Sequence, residues 1–153
     1  FEMIIEVAKQ IPNTKFIIAG RGGGTNNPYY NKLTTLKPNN VELYTDTPRN
    51  EITNLLGKAK IYLHCMIGEH FGISIGEAMA AGCIPVIHTH GGPIEIAGEH
   101  GFTFNDLKSC VEAVKKALEC ETDINAIVKR AETFSDDAFK KRFMDVLEKN
   151  DYL

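Results

Sequence analysis

"IYLHCMIGEHFGISIGEAMAAGCIPVIHT" (61–89) contains two apolar runs, "IYLHC" (61–65) and "IPVIHT" (84–89), with a helical segment between them. The runs are short, rich in β-branched residues and do not alternate with polar ones, which is how strands buried on both faces read. The segment "SIGEAMAA" (74–81) is small and apolar and is closed by Gly82, a usual helix stop. Strand, loop, helix and strand in this order make a βαβ unit, and a βαβ unit implies a parallel sheet covered by helices.

The same alternation runs outward in both directions. Upstream lie a helix in "FEMIIEVAKQI" (1–11), a strand in "KFIIAG" (15–20), a short helix in "PYYNKLTTL" (28–36), a strand in "VELYT" (41–45) and a helix in "PRNEITNLLGKA" (48–59). Downstream lie a short helix in "PIEIA" (93–97), a short strand in "GFTF" (101–104), and amphipathic helices at 107–119, 123–134 and 135–150. Ser135 is placed as the N-cap of the last, followed by acids in its first turn. The fold class is therefore α/β, a doubly wound parallel sheet of Rossmann-like type. Strands 15–20, 41–45, 61–65, 84–89 and 101–104 are expected all parallel, in one sheet. The first helix has no initiator Met or N-cap before it, so the chain reads as beginning inside a helix. A central first strand is then missing, and the gap between 15–20 and 61–65 is expected to be closed or filled. Ile4, Ile5 and Ala8 are expected to pack the first helix on the sheet.

Composition narrows the function. The chain has 153 residues and a formal net charge of −3, with no Lys/Arg cluster. It carries no electrostatic footprint for nucleic acid. No apolar run is long enough to span a membrane, and no signal peptide is visible. Cys65, Cys83, Cys110 and Cys120 form no CxxC pair and read as free thiols of a reducing cytosol. The expected location is cytoplasmic.

In an open parallel sheet, ligands bind beyond the carboxyl ends of the strands. The rule selects the loops Gly20–Asn27, Asp46–Arg49, Met66–Ile73 and Thr89–Pro93. The third of these holds Glu69, and Glu77 follows eight positions later in the next helix. Buried carboxylates need partners. Gly72 permits close backbone approach, and the N–H groups of Ile73, Ser74 and Ile75 at the helix start form a site suited to phosphate. Glu77, placed in the first turn, must then meet another part of the ligand. Two adjacent sugar hydroxyls suit one carboxylate. Glu69 lies on the loop side and would meet the far end. Two hydroxyl-binding carboxylates with an anion site between them describe a nucleotide sugar: ribose, diphosphate, transferred sugar. The bland alternative is a helix-dipole residue and a loop charge with no ligand.

"EHFGISIGE" (69–77) resembles the E-x7-E signature of retaining glycosyltransferases with the GT-B fold, family 4-like, and "AMAAGCIPVIHTHGGPIEIA" (78–97) continues the resemblance. "KFIIAGRG", "VELYTDTPRNEITNLLGKAKIYLHC" and "FSDDAFKKRF" follow the family's order of elements, so the likeness covers nearly the whole chain. It matches only the second, donor-binding domain. "EHFGI" with "HTHGGP" resembles the branch of α-1,2-mannosyltransferases that use GDP-mannose on a lipid-linked oligosaccharide. The resemblance implies that Glu77 holds the ribose hydroxyls and that Glu69 acts at the donor sugar as the catalytic, orienting carboxylate. It implies that His70, Phe71, Gly72, Ile73 and Ser74 complete the nucleotide-sugar contacts, and that 45–49 lies beside the nucleobase. The donor is a GDP- or UDP-sugar, the acceptor a glycan or lipid-linked glycan bound by another domain. Neither a metal nor another cofactor is implied. The family's diphosphate-binding Arg and Lys and its acceptor domain are not in this sequence, so residues 1–153 are expected to be a donor-binding fragment, inactive alone. Any peripheral membrane association belongs to the missing domain.

Two rivals remain at this level. One is a non-catalytic nucleotide- or phosphate-binding module of the same fold, which would not need Glu69. The other is a GT-B epimerase acting on UDP-sugars. His88 and His90, two apart at a strand end with His64 nearby, do not complete a metal set. His90 is expected to line the donor pocket or bond the loop. "GRGGG" (20–24) lacks dinucleotide-fingerprint spacing, Arg21 reads as a solvated loop residue, and Phe139, Phe143, Met144 and Leu147 form a packing stripe.

Overall fold

The computed structural model describes residues 1–150. Along them run α1 (Glu2–Gln10), β1 (Phe16–Gly20), α2 (Pro28–Leu36), β2 (Val41–Thr45), α3 (Arg49–Leu56), β3 (Ile61–His64), α4 (Ile73–Ala80), β4 (Ile84–His88), α5 (Pro93–Ala97), β5 (Phe102–Phe104), α6 (Leu107–Glu119), α7 (Ile124–Glu132) and α8 (Asp136–Lys149). Every expected helix and strand is present. The loop 20–28 contains one unexpected 3-10 turn over Gly24–Asn26.

Helix starts follow local chemistry. Asn27, Asp106, Asp123 and Ser135 each accept a hydrogen bond from a backbone N–H of the first turn, which satisfies one of the donors a helix leaves open. At α6 the arrangement is a full capping box between Asp106 and Ser109.

All strand pairings are parallel, as the apolar runs required. The expectation of a single sheet is corrected. The strands form two sheets, β1–β2 and β3–β4–β5, and no ladder joins β1 to β3 among the described residues. Nor has the gap closed. The reason lies in α1, which serves both cores. Its Val7 and Ile11 belong to the apolar cluster around β4, while Ile5 and Ala8 belong to the cluster around β1 and β2. Phe16 packs against both clusters, and α1 also contacts α6. Helix packing therefore sets the relation of the two sheets, and strand pairing does not. The expected seating of α1 holds: Ile5 and Ala8 are fully buried, and Ile4 packs against the second cluster.

The strand β4 lies at the centre of the larger sheet and is buried along its whole length. It places the ends of β3 and β4 side by side, with His64 beside Ile87 in register. The loops that leave these two ends form the candidate site.

Candidate functional site

The loop after β3 and the loop after β4 are bound to each other. Glu69 and Gly91 form a parallel bridge, and the N–H of Gly92 donates to the Glu69 carbonyl at 2.9 Å. The fit is close enough to require both glycines. A Cβ on Gly91 would lie 2.3 Å from the Glu69 carbonyl oxygen, and one on Gly92 would lie 2.0 Å from that of His70. The backbone at Glu69 is thus fixed by its neighbour strand-end and not left to a free loop.

The carboxylate of Glu69 is held on two sides. Its Oε1 accepts the N–H of Phe71 at 3.3 Å. Its Oε2 faces the imidazole Nε2 of His64 at 3.8 Å. His64 lies at the end of β3, half-stacked on Tyr62, with ring centroids 6.2 Å apart. Burial lowers the imidazole pKa below its usual value, and the Glu69 charge opposes that shift less strongly.

Gly72 takes a left-handed conformation (φ 91°) that turns the chain into α4. The helix begins at Ile73, so Glu77 lies beyond its first turn, where the dipole gives little help; this corrects the expected placement. The expected set of three open N–H groups is also corrected. The N–H of Ile75 bonds the Gly72 carbonyl at 2.9 Å, and the N–H of Phe71 is on Glu69, which leaves Ile73 and Ser74 ahead of the first intrahelical bond. Phe71 and Ile73 expose their side chains. The Phe71 ring meets Phe134 edge-on at 6.1 Å, and the Arg130 guanidinium lies over the other partner, 4.9 Å from the Phe134 centroid. His70 is exposed beside them.

Glu77 is not free. Its Oε1 accepts from Arg49 Nη2 at 2.5 Å. Arg49 opens α3, so this contact ties the end of β2 to α4 across the interrupted sheet. Next to it, Asp46 adopts φ 52°, rare for a residue with a side chain. Its carboxylate accepts from the N–H groups of Gly22 (3.3 Å) and Gly23 (2.9 Å). The glycine loop is therefore pinned to the β2 end at Gly22 and Gly23. The loop rule had already selected Asp46–Arg49 and Met66–Ile73. What the sequence does not reveal is the pairing of Arg49 with Glu77 and of His64 with Glu69.

His88 is buried; its Nδ1 accepts the N–H of His90 at 3.2 Å, and His90 Nδ1 shares a hydrogen bond with the Thr89 hydroxyl. His90 thus bonds the loop, as one of its two expected roles required. No group of three metal-ligating side chains comes together among the described residues.

Residues 1–149 match the glycosyl transferases group 1 family. The chain belongs to that family. It is 35% identical over 123 residues to the human GDP-Man:Man(3)GlcNAc(2)-PP-Dol alpha-1,2-mannosyltransferase, a match covering 71% of this chain and 24% of that protein. It is 34% identical over 118 residues to the enzyme of the same name from Neurospora crassa, covering 71% of this chain and 21% of the relative. The chain therefore spans about a quarter of the length of these relatives. Among solved structures, the pneumococcal O-GlcNAc transferase GtfA in complex with UDP and GlcNAc superposes with a TM-score of 0.71 at 16% identity, over 97% of this chain and 32% of that one. At that identity the likeness shows the fold, and the fold is that of GT-B glycosyltransferases.

Proposed function

We propose that this glycosyl transferases group 1 chain is the donor-binding domain of a retaining enzyme that transfers mannose from GDP-mannose to a lipid-linked glycan. The relatives' names supply the donor and acceptor classes. The observation that carries the reading is the order of groups along the loop after β3 and the start of α4. Along the chain Glu69 precedes and Glu77 follows the open N–H groups of Ile73 and Ser74, Glu69 on the loop that leaves the carboxyl end of β3 and Glu77 on the helix after it. A nucleoside diphosphate sugar has a diol, an anion and a second sugar in that order.

In this reading the diphosphate lies on the start of α4, where backbone N–H groups favour negative charge. The ribose hydroxyls donate to Glu77, sharing it with Arg49 or displacing the guanidinium. The donor sugar meets Glu69. The bond between the anomeric carbon and the diphosphate oxygen breaks, and the acceptor hydroxyl oxygen bonds the same carbon from the same face. The departing phosphate oxygen takes the acceptor proton. Glu69 orients the sugar and stabilises the positive charge that grows on it, and the N–H groups stabilise the leaving group. A non-catalytic binding module would have no use for a carboxylate at Glu69, beyond the anion site on the loop side.

The sheet interruption also bears on domain organisation. The facing edges of β1 and β3 carry unpaired backbone groups, which a strand between them would satisfy. We read residues 1–150 as one domain of a larger enzyme, completed by such a strand and by an acceptor domain that carries further phosphate-binding cations. No described helix is long and apolar enough to cross a membrane, so contact with a lipid-linked acceptor falls to the acceptor domain.

The test is to separate the two glutamates in the complete enzyme. Glu77→Ala should mainly raise the donor KM, and Glu69→Ala should mainly lower kcat. Equal loss of GDP affinity in both variants would refute the division of roles.

A further inference from the structure

The Nε2 of His64 is the one buried side-chain nitrogen or oxygen without a hydrogen-bond partner among the described residues. Such an atom weakens a fold, because burial removes its water and supplies nothing in return. A leucine in the same apolar strand would avoid the penalty. The unmatched atom points at Glu69 Oε2, 3.8 Å away, and a hydrogen bond needs about 2.9 Å. The remaining movement, roughly 0.9 Å, lies within a side-chain rotation of Glu69. The other carboxylate oxygen is already tied to the Phe71 N–H, and the backbone beneath is tied to Gly91. The imidazole in turn is backed by Tyr62. Two restraints on Glu69 and one on His64 are in place, and the contact between the two side chains waits a short distance off.

We propose that His64 is the positioning residue of Glu69: its Nε2–H closes onto Oε2 when the donor sugar arrives, and so fixes the carboxylate against the reacting ring. The inference rests on the reading of Glu69 as the donor-sugar carboxylate. A neutral imidazole with its proton on Nε2 is the form required, and burial favours the neutral form. The contact forms with the loaded donor, so its loss falls on the chemical step and not on nucleotide binding. The design also explains why an unpaired polar atom is tolerated in β3: the strand gives up some stability and keeps a donor ready for the loaded state.

The experiment uses the complete enzyme with GDP-mannose and a lipid-linked glycan acceptor, and compares His64→Leu, His64→Gln and Glu69→Gln. His64→Leu should keep or raise Tm, leave the GDP-mannose KM within about twofold, and lower kcat by about ten- to a hundredfold, the worth of a hydrogen bond to a charged group. His64→Gln, which restores an N–H donor near the same place, should recover most of the lost kcat. Unchanged kcat in His64→Leu, with Glu69→Gln strongly impaired, would overturn the role of His64 and leave the site reading standing. Wild-type kcat in Glu69→Gln would overturn the site reading itself. If His64→Leu loses Tm, the wild-type ring decides: with 15N-labelled histidine, the His64 Nε2 signal should move on addition of GDP-mannose and stay unmoved with GDP. No movement with GDP-mannose overturns the inference.

Discussion

Replacing Gly92 with alanine probes the contact between the two functional loops through a single methyl group. Gly92 has φ −60° and ψ −26°, a conformation open to any residue. The substitution therefore acts through space alone. The added Cβ would lie 2.0 Å from the His70 carbonyl oxygen, 2.8 Å from its carbonyl carbon and 3.0 Å from the Phe71 Cα. All three are backbone atoms, so no side chain can swing aside. To reach an ordinary contact of 3.4 Å, the His70 carbonyl and the Cβ must separate by 3.4 − 2.0 = 1.4 Å. Overpacking of this kind costs about 1–3 kcal/mol of stability. The larger effect is on geometry. His70 adjoins Glu69, and in the role proposed for Glu69 a displacement of about 1 Å should lower the rate on the order of a hundredfold. Denaturant unfolding and donor-transfer kinetics of the complete enzyme would measure both. Gly76→Ala, within α4, is the control. Beyond its chain neighbours and the adjacent backbone of α4, no atom lies within 4 Å of the added Cβ, so it should stabilise the helix by about 0.5–1 kcal/mol. If Gly92→Ala unfolds at the wild-type midpoint and transfers sugar at the wild-type rate, the reasoning about the joined loops is refuted.

Two further outcomes are expected. Ile5→Ala removes a fully buried side chain from the helix that joins the two sheets; it should destabilise the fold by about 2–5 kcal/mol in denaturant unfolding. Cys83, buried with its thiol donating to the Leu56 carbonyl, has its pKa pushed up to about 11 by burial. It should resist iodoacetamide at pH 8 until the chain is unfolded, and because the folded value lies above the unfolded 9.0, the stability tied to the neutral thiol is full below pH 9 and is lost as pH rises through 11.

The fold was legible because the central strand β4 and its neighbours read as apolar runs and because α2, α6, α7 and α8 begin at the capping side chains Asn27, Asp106, Asp123 and Ser135. Pro85 is the instructive exception. Proline cannot donate to a ladder and argues against a central strand, yet Ile84–His88 is the central strand of its sheet. The surrounding Ile84, Val86 and Ile87 outweighed it. The place of the interruption, between β1 and β3, was legible as a missing central strand; that the gap stays open, with α1 sharing Ile5, Val7, Ala8 and Ile11 between two cores, was not, because a helical period cannot say which core each residue serves. At the candidate site, the glycine turn at Gly72 and the positions of the loops could be read from spacing and from the rule of strand ends. The partners of Glu69 and Glu77 could not. Arg49 lies 28 residues before Glu77, and the contact arises only when the start of α3 meets α4 in the folded chain. His64 has the sequence context of a core residue, and only the direction of its ring reveals Glu69. The start of α4 fell one residue earlier than read, which was enough to remove Glu77 from the first turn and Ile75 from the open N–H groups.

The central claim is that α4 and the loop before it receive a nucleoside diphosphate. Titration of GDP into the 15N-labelled chain, with UDP as comparison, tests it most directly. Because Ile73 and Ser74 supply only part of a phosphate site, binding should be weak, on the order of high micromolar to millimolar. The amide signals of 71–77 and of Asp46–Arg49 should move together along one binding curve, since the diphosphate and the ribose end belong to one ligand. Signals of 71–77 that stay still at millimolar nucleotide, while those of another loop move, would contradict the account.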